Sequence, residues 1–199
     1  MKKQKLIIIS AFFIFAIFIS LYFDSEISKG ISLIRNNFLN EVFLGITFVS
    51  SELIIFFFLT SLFLIKDYKR KYILPLWASL GFSVIVSFIL KIIVQRARPF
   101  QLGIVSVLPV LEKASHSIWN FSFPSFQAML VFCAIPVISK EFPKFKYIWI
   151  IFAGLVALSR VYFGLHFLSD VIAGSLIGYL IGLFVINRKA LQEFSFGKK

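Results

Sequence analysis

Six runs of mostly apolar residues, at about 6–22, 43–65, 72–94, 123–139, 147–164 and 167–187, make up most of the 199-residue chain. A helix rising ~1.5 Å per residue needs about 17–25 such residues to cross ~30 Å of hydrocarbon. All six meet that length, the first, fourth and fifth only just. Within lipid every backbone N–H and C=O must find a partner in the protein, which leaves helices or closed barrels. Runs this long, without strict polar–apolar alternation, are helical. Composition agrees. Hydrophobic residues make up 59% of the chain and charged residues 15%, with a mean hydropathy of +0.93. Soluble domains carry roughly 45–50% apolar and about 25% charged residues. The expected fold is all-α, a polytopic membrane protein with six transmembrane helices in a single domain over residues 1–199.

Charge then orients the spans. A net charge of +12 raises the question of nucleic acid. The basic residues, however, stand in short clusters between the apolar runs, so no nucleic-acid partner is expected. Lys2, Lys3 and Lys5 precede the first run; Lys66, Lys69, Arg70 and Lys71 separate the second from the third. Lys140, Lys144 and Lys146 separate the fourth from the fifth, and Arg188, Lys189, Lys198 and Lys199 follow the sixth. With an even number of spans these four clusters share one side, which the positive-inside rule makes cytoplasmic. Both termini are then cytoplasmic. The first run ends at Tyr22-Phe23-Asp24, with no small-x-small cleavage site, and reads as an uncleaved helix.

The other basic residues, Lys29, Arg35, Lys91, Arg96, Arg98, Lys113 and Arg160, fall at or near the outer face. Residues 24–42 read as an outer loop in which Ile27, Ile31, Ile34 and Phe38 recur at the spacing of a short interfacial helix. Trp119, Trp149 and Tyr162 fall near predicted interfaces and read as belt residues. Glu52 lies near the middle of the second run, where a carboxyl group is either functional or bonded to a neighbouring helix. The lone cysteine, Cys133, lies in an apolar run and reads as core. Gly174, Gly178 and Gly182, four apart in the sixth run, allow close helix packing.

Three segments at the outer ends of the third to sixth runs hold polar residues that spanning does not require. In Lys91-Ile-Ile-Val-Gln-Arg-Ala-Arg98-Pro99 two cations stand seven apart, so on a helix that Pro99 ends both can point to one side. They suit an anion, or equally snorkel to lipid headgroups. Ser122-Phe123-Pro124-Ser125-Phe126-Gln127 opens the fourth run with a serine cap and a proline. A helix N-terminus offers free N–H groups to an anion, but a plain cap has the same sequence. In Ser159-Arg160-Val-Tyr-Phe-Gly-Leu-His166-Phe-Leu-Ser-Asp170 a histidine and an aspartate stand four apart. A carboxylate that accepts one imidazole proton leaves the other nitrogen free to attack, and Arg160 adds a phosphate clamp. Charge bias and motif position agree in gathering these segments at one membrane face.

Together they resemble the type 2 phosphatidic acid phosphatase superfamily, whose signatures are K-x6-R-P, P-S-G-H and S-R-x5-H-x3-D. The first matches at Lys91, Arg98 and Pro99, and the third at Ser159, Arg160, His166 and Asp170. The second matches only at Pro124 and Ser125; the resemblance covers about residues 85–180. It implies a metal-independent phosphatase with a six-helix membrane core and no cofactor. By the same resemblance the histidine at position 166 attacks phosphorus and becomes a phosphohistidine, and Asp170 orients it. Lys91, Arg98, Ser125 and Arg160 hold the phosphoryl oxygens.

The chain departs from the family at Phe126, where the motif has glycine, and at Gln127, where it has a histidine that protonates the leaving oxygen. Glutamine donates a hydrogen bond but releases no proton, and a general acid contributes typically 10²–10⁴-fold. One reading is a lipid diphosphate substrate, such as a polyprenyl diphosphate, whose leaving group is a weakly basic phosphate monoester. Another has His116 or Glu112 supply the proton. A third is a weakly active or inactive phospholipid-binding homologue. The expected function is a lipid phosphatase acting on a phosphomonoester or diphosphate headgroup at the outer face of the cytoplasmic membrane. A phosphotransferase using the same phosphohistidine is the alternative.

Overall fold

The computed structural model describes residues 2–113 and 120–188. Among these residues the chain is helical, with no strand: α1 Lys2–Leu33, α2 Asn37–Val49, α3 Glu52–Leu64, α4 Ile73–Val94, α5 Pro109–Lys113, α6 Phe126–Glu141, α7 Phe145–Tyr162 and α8 Leu168–Ile186. A 3₁₀ turn, Asp67–Tyr72, leads into α4. Among the described residues three helices are long and apolar enough to cross a membrane, and four when the bent pair α2 and α3 counts as one span.

Two expected boundaries move. The helical spacing of Ile27 and Ile31 is real but belongs to α1, which continues without a break to Leu33. Its inner face carries Ser20, Asp24 and Ser28, all buried, and Ile27 and Ile31 pack on Val161 and Val171. Of this polar stripe Ser20 returns its hydroxyl to the Ile17 carbonyl at 2.9 Å, and Asp24 is bonded by Ser169 of α8 and by Arg96 from the loop after α4. Ile34 and Phe38 are exposed, and Asn36 caps α2 by accepting a hydrogen bond from the Leu39 amide at 2.9 Å.

The second apolar run is not one straight helix. Helices α2 and α3 meet at 62° across Ser50 and Ser51. Non-helical backbone at membrane depth is tolerated where it faces protein or a polar cavity. Here Arg160 of α7 supplies the partner, donating to Thr47 Oγ1 at 2.6 Å and Ser50 Oγ at 3.4 Å.

Helix α4 buries a stripe at four-residue steps, Ser79, Ser83, Ser87 and Lys91. Ser79 and Ser83 return their hydroxyls to the carbonyl four residues earlier, which allows a small polar face to pack against α6 and α8 without taking those bonds from them. The helix ends at Val94, with Gln95 left-handed at φ 48°. It stops well before Pro99, so Lys91 and Arg98 do not share a helix face; Arg98 reaches the same region from the following loop.

Helices α6 and α8 pack the most closely. A Cβ at Gly174, Gly178 or Gly182 would run into the carbonyl oxygen of Ser125, Met129 or Cys133 respectively. The glycine spacing read from the sequence thus brings two backbones together. The Ser125 amide donates to the Asp170 carbonyl at 3.1 Å, which pins the start of α6 to the first turn of α8. Cys133 is core, its thiol on the Leu130 carbonyl at 3.1 Å. Trp149 and Tyr162 are buried rather than belt residues: Trp149 Nε1 donates to the Val131 carbonyl, and the Tyr162 hydroxyl donates to Asn40 Oδ1, each at 2.8 Å.

Candidate active site

His166 occupies the short link between α7 and α8 and is 2% exposed. The link turns at Gly164, whose φ of 69° favours glycine. The amides of Leu165 and His166 both reach back to the Arg160 carbonyl, at 3.0 and 3.3 Å, so the end of α7 fixes the histidine backbone. The imidazole Nδ1 lies 2.7 Å from the Ser122 carbonyl oxygen. A carbonyl only accepts, so Nδ1 carries the proton and Nε2 keeps its lone pair.

The sequence reading had Asp170 hold the imidazole directly. In the structure Asp170 Oδ2 is 4.0 Å from Nδ1 and is engaged elsewhere. It accepts from the Phe167 amide at 2.8 Å and from the Ser122 hydroxyl. Its other oxygen takes Arg96 at 2.7 Å. Asp170 thus grips the two segments flanking the imidazole, the link bearing it and the loop whose carbonyl receives its proton. The contact at hydrogen-bond distance comes from Ser122.

Arg96 and Asp24 are the partners that sequence reasoning left without a role. The Arg96 guanidinium bridges Asp170 and Asp24, at 2.7 and 2.8 Å, donates to Ser169 Oγ at 2.7 Å, and lies 4.0 Å above the Phe167 ring. Asp24 also accepts from the Ser169 amide at 3.1 Å. A buried carboxylate on α1 and one on α8 are therefore joined by a single arginine from the loop after α4. The signal was available: Asp24 is an acid at the end of an otherwise apolar run, and such a group needs a counter-charge.

His166 opens onto a cavity of about 790 Å³. At its polar end the walls carry Lys91, Arg98, Arg160 and Gln127, with Thr47, Ser50, Ser51 and Glu52 from the α2–α3 break. Leu53, Phe56, Trp77, Leu80 and Val84 line an apolar extension between α3 and α4. The Lys91 ammonium donates to the Phe121 carbonyl, and Arg98 Nε to the Asn120 carbonyl at 3.0 Å. The cations are thereby held to the same loop that presents Ser122. Ser125 caps α6 by position, yet no side-chain cap bond forms, and its buried hydroxyl has no hydrogen-bond partner among the described residues. Burial pushes the His166 pKa well below the ordinary histidine value, and Arg98, Lys91 and Arg160 push it the same way, against the Ser122 carbonyl. The imidazole is neutral at neutral pH, as a nucleophile requires.

The site thus brings Lys91, Arg98, Gln127, Arg160 and His166 around one cavity, with Ser125 at the start of α6 and Asp170 behind the histidine. His116 and Trp119 lie outside the described residues, as does the side chain of Glu112. A buried neutral imidazole beside three fixed cations, at the end of an apolar channel in a helical membrane fold, has the character of a phosphoryl-handling site for amphiphilic molecules.

Comparison with known proteins agrees with that class. The PAP2 superfamily model matches residues 72–192, and the chain belongs to this superfamily. It is 33% identical over 179 residues to phosphatidylglycerophosphatase B of Bacillus subtilis, covering 81% of each chain. It is 33% identical over 129 residues to an undecaprenyl-diphosphatase of Sulfolobus acidocaldarius, covering 64% of this chain and 60% of that one. The crystal structure of a transmembrane PAP2 type phosphatidylglycerolphosphate phosphatase from Bacillus subtilis matches with a TM-score of 0.68 at 28% identity. That match covers 95% of this chain and 96% of the other.

Proposed function

We propose that this protein is a membrane lipid phosphatase that removes a terminal phosphoryl group through a phosphohistidine on His166. The observation that carries the reading is the buried imidazole, its Nδ1 on the Ser122 carbonyl, facing a cavity that three cations share with an apolar channel. Two relatives named as phosphatases of phosphorylated lipids support it.

In this reading the headgroup enters the polar end and the tail lies between α3 and α4. Lys91, Arg98 and Arg160 bind the phosphoryl oxygens, with the Ser125 hydroxyl and the N-terminus of α6 as further donors. Charge spread over the equatorial oxygens in the transition state is what fixed cations stabilise. His166 Nε2 attacks phosphorus in line with the leaving oxygen, and Asp170 keeps the Ser122 loop and the histidine link in register. These side-chain cations supply the positive charge, so the reaction is metal-independent. Gln127 donates a hydrogen bond to the bridging oxygen. It releases no proton, which favours a lipid diphosphate, polyprenyl diphosphates included, over an alkyl monophosphate. Water then displaces the imidazole and frees phosphate.

The full chain forms one domain of six spans, α1, the bent pair α2 and α3, α4, α6, α7 and α8, in the cytoplasmic membrane. Both termini are cytoplasmic, and the site opens to the outer face. The charge clusters support that orientation.

The test is phosphate release by purified protein from lipid mono- and diphosphates, in the presence of a chelator. Turnover is expected with chelator, fastest for diphosphates, and His166→Ala lowers it at least ~10³-fold. Activity that survives His166→Ala, or that the chelator abolishes, overturns the reading. Tracing labelled phosphate into water-soluble product rather than an acceptor lipid separates hydrolysis from phosphoryl transfer.

A further inference from the structure

The two halves of the reaction make different demands on the protein. A phosphate monoester departs from a lipid diphosphate without a proton. The water that later takes phosphorus from the imidazole has to lose one, and a base beside that water speeds the step. Gln127 cannot be that base, because an amide does not titrate. Glu52, the first residue of α3 at the 62° break, lines the same cavity as Lys91, Arg98, Arg160 and His166. Among the described residues no other carboxyl group does. Its Oε1 accepts from Gln127 Nε2 at 3.3 Å, and its charge acts on the Arg160 guanidinium. Glu52 is exposed, and an exposed carboxyl group near cations is ionised at neutral pH. Such a group has no proton to give but can take one.

In-line displacement fixes where the water stands. In the first step the leaving oxygen departs on the side of phosphorus opposite Nε2. In the second step Nε2 is itself the leaving group, so water enters on the side that the lipid product has vacated. In the reading above, that is the place beside Gln127. The Gln127 amide has two N–H groups. One holds Glu52; the other serves the leaving oxygen first and the water afterwards. A water that accepts from Gln127 there is next to the carboxylate that Gln127 holds.

We propose that the Glu52 carboxylate is the general base that activates water against the phosphohistidine, and that Gln127 positions it. This rests on the phosphatase reading. In the first step Nε2 bonds to the terminal phosphorus, the bond from phosphorus to the bridging oxygen breaks, and the lipid phosphate leaves with the electron pair. In the second step the water oxygen bonds to phosphorus as one of its protons passes to Glu52. The P–N bond breaks and its electron pair returns to Nε2. Glu52 then gives the proton to bulk water, to which it is exposed, and inorganic phosphate leaves. One water is consumed in each cycle, and histidine and carboxylate end as they began. Lys91, Arg98 and Arg160 offset the negative charge that the carboxylate adds beside the phosphoryl group.

The experiment follows a polyprenyl diphosphate labelled in its terminal phosphoryl group, by rapid quench, with wild type, Glu52→Gln, Glu52→Asp and His166→Ala. Glu52→Gln is expected to release about one lipid phosphate per enzyme in the first turnover, at a rate within about 3-fold of wild type. Its steady-state turnover then falls about 10²–10⁴-fold, and the label stays on the protein in an acid-labile, alkali-stable form. Glu52→Asp, which keeps the charge on a shorter arm, is expected to lie between on both measures. Steady-state turnover within about 3-fold of wild type in Glu52→Gln, with no more label on the protein, overturns the proposal. So does an equal loss of the first turnover and the steady state, which marks a structural or binding role. His166→Ala is expected to take no label and release no lipid phosphate; turnover there removes the phosphohistidine mechanism itself, a different result from a failure at Glu52.

Discussion

At the level of single residues the site is decided by who holds the histidine. Asp170 and His166, four apart, suggest a direct pair, but the imidazole finds the Ser122 carbonyl at 2.7 Å and Asp170 spends its oxygens on the supports. A local spacing shows which groups can meet on a helix, not which of them a third segment reaches first. Arg96 illustrates the cost of such an arrangement, since Asp24 and Asp170 are nearly fully buried and depend on it. Arg96→Gln leaves two buried carboxylates without their cation and is expected to destabilise the protein by about 3 kcal/mol, seen as a lowered melting temperature in detergent. Asp24→Asn, which removes one of the charges, costs less.

The depressed pKa of His166 makes a second prediction at this scale. The unfolded chain takes up a proton at this histidine near pH 6.5, whereas the folded chain resists it until a lower pH. The contribution to stability is therefore complete above about pH 6.5 and is lost as the pH falls towards the folded value. Melting temperature followed from pH 7.5 down to pH 5 is expected to fall more steeply for wild type than for His166→Asn. The acid limb of the rate profile belongs below the ordinary histidine range for the same reason.

Among the elements, the contact of α6 with α8 matters most to the site, because it sets the start of α6 against the histidine link. Gly174, Gly178 and Gly182 permit it. Gly178→Ala presses a methyl group against the Met129 carbonyl and is expected to cost about 1–3 kcal/mol, with the side chains that line the cavity displaced and activity reduced. Gly30→Ala, with open space around the new methyl group, serves as the control and leaves melting temperature and turnover nearly unchanged. The break between α2 and α3 is the other element-level feature. Hydropathy sees residues 43–65 as one run, since Ser50, Ser51 and Glu52 are too few to interrupt it. At the bend the side chains of Thr47 and Ser50 are bonded by Arg160, a residue more than 100 positions away.

For the whole molecule the proposed orientation in the bilayer rests on charge. A cysteine at Ser106, in the loop between α4 and α5, is expected to react with an impermeant maleimide in intact cells. One at Lys66 is expected to react only after permeabilisation; the native Cys133 is buried and stays silent. The reverse pattern overturns the assigned orientation. The all-helical apolar architecture, the glycine stripe and the polar segments that meet at the cavity were legible in the linear chain, because each depends on residue type and on short, fixed spacings. The bridge from Asp24 through Arg96 to Asp170, the hold of Ser122 on the histidine and the meeting of Glu52 with Gln127 were not. Each joins segments dozens of residues apart, and each buried polar group accepts whichever partner packing delivers. Chain periodicity sufficed for the membrane class, the helices and the chemical inventory of the site; the pairing of its charges was decided only when the folded helices excluded water and left each group only the neighbours that packing brought to it.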